Sequence, residues 1–375
     1  MSSAPRALPQ FALIFAVLLL PRASAAATGT YTPPMLRGDL SIGYDGGIAA
    51  IQLEDRSNDD SAWVEVAEYQ KHHHGMQISG AFTPYHGISV GLAIPILFHG
   101  QLNWRSGNSF HYDPVTERAT MAGADGLDDE ILDASPASLR RFGFGDLGLN
   151  FRIVPFAQHG LPNRQAPISM AFDVNLRFPS GQNPLKTRED GTGYPGIGGI
   201  GITVGTTAAR SFGAIEPYLS IHYTHNGPYQ LEDDEHAEEG EEGEEAQRAG
   251  DSFSLRAGSH IVAYHDGTKG RSVHLDLSLK AAYFGPEHTR SGIHLPTTLP
   301  ETIGQAAVVS EHLEVGGAFE LAISPRPQLE IHMDLEAAWI SPHSVERVSK
   351  NAYSVRTRNG SLGLHWGAGV RIHFL

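Results

Sequence analysis

The chain has 375 residues, with 42 acidic against 27 basic side chains and a formal net charge of −15 at pH 7. No internal run approaches the roughly 20 apolar residues of a membrane helix, so a bundle of such helices is excluded even at 41% hydrophobic content. No cysteine is present to form disulfides, and 42 glycines beside 16 Phe, 12 Tyr and 4 Trp point to many short strands and tight turns.

The first element is a leader. Arg6 precedes the apolar run Phe11 to Leu20 (FALIFAVLLL), a Pro21-Arg22 break and Ala23-Ser24-Ala25. A positive start, a short apolar stretch and a small-x-small site predict a signal peptide over 1–25, cleaved near Ala25. About ten apolar residues are too few for a retained anchor. A short periplasmic segment, 26–36, is expected to lead into the body at 37–375.

From residue 37 onward the pattern has period two. Alternating segments fall near 37–46, 68–83, 87–98, 142–155, 166–178, 196–210, 214–226, 251–264, 271–284, 310–324, 328–340 and 359–375. In FGFGDLGLNFRIVP (142–155), Leu147, Leu149, Phe151 and Ile153 share one parity, while Asp146, Asn150 and Arg152 take the other. Residues 168–178 set Ile168, Met170, Phe172, Val174, Leu176 and Phe178 against Ser169, Asp173, Asn175 and Arg177. Residues 273–283 set Val273, Leu275, Leu277 and Leu279 against His274, Asp276, Ser278 and Lys280. Residues 329–339 set Leu329, Ile331, Met333, Leu335 and Trp339 against Glu330, His332, Asp334 and Glu336.

The connections alternate in length. Short links are expected at Pro84-Tyr85-His86, around Gly160, at Phe212-Gly213, around Gly267 and at Pro325-Arg326-Pro327. Long loops are expected at 47–67, 99–141, 179–195, 227–250, 285–309 and 341–358. An even strand count, short turns on one side and long loops on the other predict an all-β fold: a transmembrane antiparallel barrel of the outer membrane, with extracellular loops and periplasmic turns. A soluble secreted sandwich is the alternative, and it would leave a charged strand face in water in every segment.

In the barrel reading the leucines face lipid. The charged parity then lines the lumen: Asp146, Asn150, Arg152, Asp173, Asn175, Arg177, His274, Asp276, Lys280, His332, Asp334 and Glu336. Asp173 and Arg177 sit on the strand after Arg152 and Asp146, so opposite charges are expected to pair across the ladder. Tyr223, Tyr264, Tyr283, Trp339 and Trp366 are candidates for interfacial girdles, or simply reflect strand propensity. The final strand carries Val370, Ile372 and Phe374 on one face and resembles the C-terminal signal read by the barrel-assembly machinery, with Leu375 following the aromatic residue.

Two further features carry chemistry. Twenty histidines are many, and the run 231–245 surrounds His236 with ten carboxylates. Imidazole and carboxylate are ligands for zinc or copper, which makes Glu235, His236, Glu238 and Glu239 candidate metal ligands; the alternative is a solvated acidic loop. His222-Tyr-Thr-His225-Asn226-Gly227 lies near the His motif of outer-membrane phospholipases, but Thr224 stands where their serine falls. A strand entering an Asn-Gly turn is the simpler reading, and no enzyme activity or cofactor is expected.

Phe142-Gly143-Phe144-Gly145-Asp146-Leu147, then Phe178-Pro179-Ser180-Gly181, then the Gly-rich GIGGIGITVG (196–205) resemble the phenol-degradation MetA-pathway family of outer-membrane proteins. That resemblance spans roughly residues 140–375, with Pro-Ser-Gly in place of the family's Pro-Thr-Gly. It implies kinship with barrel transporters of fatty acids and aromatic hydrocarbons, hence a channel or transporter for small hydrophobic or aromatic solutes. Only about eleven residues separate Ala25 from the first strand, so the N-terminal hatch of the fatty-acid transporters is not expected. The alternatives are a divalent-metal uptake barrel, a structural barrel, or an outer-membrane esterase. The expected partners are outer-membrane lipid, the assembly machinery and a small solute, with no nucleic acid.

Overall fold

The structure is a computed structural model, and it describes residues 35–56, 63–106, 110–113, 118–121, 138–158, 166–181, 196, 198–229, 249–290, 306–348, 354–357 and 360–374. The leader, most of the 26–36 segment and the acidic run with Glu235, His236, Glu238 and Glu239 lie outside them.

Among the described residues, twelve antiparallel strands close into one barrel. The first three are β1 (Arg37–Arg56), β2 (Trp63–Tyr85) and β3 (Ile88–Ser106). A small separate hairpin, β4 (Phe110–Asp113) and β5 (Arg118–Met121), follows. The fourth barrel strand is β6 (Ser138–Phe144) and β7 (Leu147–Phe156), both paired with β3 and interrupted at Gly145-Asp146. It is followed by β8 (Ser169–Phe178), β9 (Gly199–Ala209), β10 (Ile215–Tyr229), β11 (Ser252–Asp266) and β12 (Arg271–Phe284). Past the short β13 (Glu287–Arg290) and β14 (Ala306–Val309) come β15 (His312–Arg326) and β16 (Leu329–Ile340). The short β17 (Ser344–Val348) and β18 (Ser354–Thr357) then lead to β19 (Ser361–Phe374). Closure is between β19 and β1, in register from Gly38 opposite Phe374 to Ala49 opposite Gly363.

Both ends of the barrel chain lie with the short turns, since Arg37 pairs with Thr83 beside the β2–β3 turn and Gly38 with Phe374. These turns are tight for a backbone reason: Gly87 (φ 76°) and Gly213 (φ 72°) take left-handed conformations that a side chain would resist.

The period-two pattern sorts the faces. Leu40, Ile42, Phe151, Ile153, Phe172, Val174, Leu255, Leu277, Ile331, Met333 and Val370 are exposed outward all around the wall. An apolar belt this continuous far exceeds the few hundred Å² that a soluble monomer leaves in contact with water. Hydrocarbon is therefore its solvent. Tyr223, Tyr264, Tyr283 and Trp339 are exposed on this outer surface, and Trp366 is half-buried there beside His74.

The long loops were expected to be longer than they are. β1 to β3 run on well past 46, 68 and 98, and parts of 99–141, 285–309 and 341–358 form β6, β13, β14, β17 and β18. These short strands extend the ladder above the belt, with β14 on β17 and β18 on β1. Beyond the bilayer both faces of a strand meet water or loops, so alternation, the only signal that marked strands in the sequence, is no longer required there.

Candidate functional site: the lumen

The motifs FGFGDL and FPSG meet at the long-loop end of the inner wall. The strand break at Gly145 turns the Asp146 carboxylate inward, where it accepts the Gly181 amide (3.1 Å). The Ser180 hydroxyl accepts the Leu147 amide (2.8 Å), tying the same two segments together. Arg177 reaches Asp146 (3.7 Å), both side chains only 3% exposed, and donates to Asn226 Oδ1 (2.7 Å). Asn226 donates in turn to the Gly250 carbonyl (2.7 Å), and its backbone amide bonds Asp251 (3.0 Å). A Cβ at Gly201 would lie 2.8 Å from the guanidinium carbon, so the Gly-rich strand leaves room for Arg177. These residues form a clasp across β7, β8, β10 and the start of β11. Asp251 also accepts Tyr223 and pairs with His225. Although burial pushes its carboxyl up, the Asn226 amide, His225 and Tyr223 together hold it below the usual range.

Away from the clasp the lumen opens into a cavity of about 520 Å³. Asn150, Arg152, Asp173, Asn175, His274 and Asp276 line it, six of the twelve residues expected inside. Arg152 lies directly opposite Asp173 (3.6 Å), and Asn150 opposite Asn175. On the facing wall Asp276 accepts Tyr218 (2.8 Å) and Arg256 (3.3 Å), while Arg256 also donates to Ser278 (2.9 Å). His260 and His274 stack at 5.0 Å and share a 3.0 Å hydrogen bond. Glu330 accepts Arg371 (2.7 Å).

A second cavity of about 150 Å³ is lined by His332, Asp334 and Glu336 with Asp45, Arg256, Glu320 and His365. Glu336 also pairs with Lys280 (3.3 Å). Tyr218, Arg256, Glu320, Asp45 and His365 were not singled out in the sequence. His222 and His225 stand on opposite parities of β10, His222 inward on the cavity and His225 outward with Asp251, so they cannot act on one substrate.

A closed ladder, an outward apolar belt and a wet, charged interior define a membrane-spanning β-barrel with an internal cavity. No protein-family model matches the chain, and no curated protein does. Solved structures with similar folds include the COG4313 outer membrane channel from Pseudomonas putida F1, at 10% identity over 93% of this chain and 99% of that one (TM-score 0.48). The TodX monoaromatic hydrocarbon channel aligns at 10% identity over 91% and 90% (TM-score 0.39). A FadL homologue of Pseudomonas aeruginosa aligns at 9% identity over 90% of each chain (TM-score 0.33).

Proposed function

We propose that this protein is an outer-membrane channel that passes small solutes, preferring aromatic compounds that carry a polar or anionic group. The observation that carries the reading is the 520 Å³ cavity inside a closed barrel, with ring faces and cations among its lining. Tyr218 and the His260–His274 stack offer surfaces for an aromatic ring, while Arg152 and Arg256 offer charge to a carboxylate or phenolate. A purely aliphatic solute would strip water from these polar groups and return no hydrogen bond, which disfavours it. The resemblance of FGFGDL, FPSG and GIGGIGITVG to the phenol-degradation MetA-pathway family supports the channel class. In this reading the leader is cleaved near Ala25, and the apolar face of β19, with Val370, Ile372 and Phe374, engages the assembly machinery.

Purified barrel in liposomes should take up benzoate-like and phenolic solutes faster than sugars or alkanoates of equal size. Equal rates for every class would reduce the protein to a nonselective pore, and no uptake above empty liposomes would overturn the channel reading.

A further inference from the structure

The seam where the barrel closes holds a set of donors unconnected with the cavity that carries the channel reading. Gly47 of β1 lies opposite His73 of β2 on one side and His365 of β19 on the other. One step along the same inward face, Asp45 lies between Gly75 of β2 and Gly367 of β19. Donors and glycines therefore alternate in a small checkerboard. The two imidazoles meet over Gly47 with ring centres 5.7 Å apart, and Asp45 approaches His73 Nε2 to 3.6 Å. One donor atom from each of Asp45, His73 and His365 lies within 4.8 Å of the others. Asp334, opposite Gly367, stands behind His365 at 3.6 Å.

The glycines make this arrangement possible. A Cβ at Gly47 would collide with the His73 ring, one at Gly367 with the Asp334 carboxylate, and one at Gly75 would crowd Asp45 Oδ1 at 3.2 Å. Three adjacent inward positions on three strands thus leave space into which donor side chains project. Tetrahedral coordination at about 2.0–2.2 Å places donor atoms roughly 3.3–3.6 Å apart, a spacing that side-chain rotation alone can reach from the one seen here.

We propose that Asp45, His73 and His365 form a lumenal binding site for a divalent transition ion of the zinc type, with Asp334 orienting His365. Two imidazoles and a carboxylate, without thiolate, suit zinc, copper or nickel rather than magnesium or calcium, which prefer all-oxygen shells. Three protein ligands leave a fourth position open, and the adjoining cavity, lined by Asp45, His365 and Asp334, gives an ion access to it. The site is separate from the acidic run around His236, the metal candidate that the sequence suggested.

The test is titration of the full-length barrel in detergent with Zn²⁺, read by calorimetry, and with Co²⁺, read by visible absorption. The comparison set is His73→Gln, Asp45→Asn, Asp334→Asn and a variant lacking residues 232–245, each checked for folding by its mobility on unheated gels. The wild type should bind one ion with the ligand-field bands of four-coordinate Co²⁺. His73→Gln and Asp45→Asn should lose those bands, Asp334→Asn should weaken binding by about tenfold or more, and the loop deletion should keep the bands. Absence of the bands in the wild type overturns the proposal, as does binding unchanged by Asp45→Asn. If His73→Gln does not fold, Asp45→Asn decides, since it keeps the shape of the side chain.

Discussion

Arg177→Leu should destabilise the barrel rather than retune its passage. Arg177 is 3% exposed and faces an Asp146 carboxylate that is equally buried, while its Nη2 donates to Asn226 Oδ1 at 2.7 Å. Leucine removes the cation and keeps the bulk, so the carboxylate remains in a low-dielectric wall with the Gly181 amide but no guanidinium. Breaking one side of a buried pair costs about 3–5 kcal/mol, because the partner's desolvation is no longer offset. The loss should appear as a lower urea midpoint for refolding into vesicles, followed by the shift between unheated and boiled gel mobility. Asp146→Asn should cost less, since the amide can still accept from Gly181, and the double variant Asp146→Asn with Arg177→Leu should recover part of the loss. A cost below about 1 kcal/mol for Arg177→Leu, the range of an exposed ion pair, would refute the clasp and return Arg177 to the passage.

On the lipid face, Leu277→Arg near the middle of β12 should cost about 2–4 kcal/mol in the same refolding assay and leave conductance per folded barrel unchanged. Asp251 has a lowered folded pKa, so its contribution is complete above the unfolded carboxylate range and is lost as pH falls through the folded value; wild type and Asp251→Asn should therefore differ in melting temperature at pH 7 and converge as the pH is lowered past that folded value. Arg256→Gln removes a cation that lines both cavities, so the reversal potential in a salt gradient should move toward cation selectivity, and an unchanged potential would place Arg256 off the conduction path. Arg152 is 24% exposed on its ladder, and Arg152→Gln should slow uptake of aromatic anions with less than about 1 kcal/mol lost in stability.

Much of the wall was legible in the sequence because lipid outside and water inside impose a strict period of two. Asp146, Arg152, Asp173 and Arg177 could be placed on one parity by counting, and the register sets Arg152 opposite Asp173. Depth along the lumen was not legible. Nothing in the alternation distinguishes Arg177, sealed in the clasp, from Arg152 beside the cavity, since both stand on the inward parity and differ only in what the neighbouring strands bring against them. Asn226 read as the first residue of an Asn-Gly turn, yet it lies within β10 at 1% exposure, holding Arg177 and the Gly250 carbonyl. The His72-His73-His74 run falls inside the alternating segment 68–83, but three like residues in a row do not say which of them faces in. In the ladder His74 faces outward to bond the Tyr44 hydroxyl (2.6 Å) while His73 faces in. Asp45, His73 and His365 become neighbours only when the last strand closes on the first, a juxtaposition that no local spacing announces.

One inward parity therefore does two kinds of work, and burial decides which. Where small residues let strands approach, as at Gly181 and Gly201, charges are sealed against each other and hold β7, β8 and β10 in place. Around the open cavity, lined by Tyr218, His222 and His274, the same residue types face lumenal space and stay available to a solute. The short motifs GxGDL and P-S-G belong to the first kind. Their chemistry fixes a strand break and a buried ion pair, so they specify how the barrel is built at its loop end. Selectivity must then come from the second kind, the residues around the open cavity, which those motifs do not contain. It follows that two barrels sharing the clasp could pass different solutes, and that under the proposed channel reading the solute is chosen by Arg152, Tyr218, Arg256 and the His260–His274 pair.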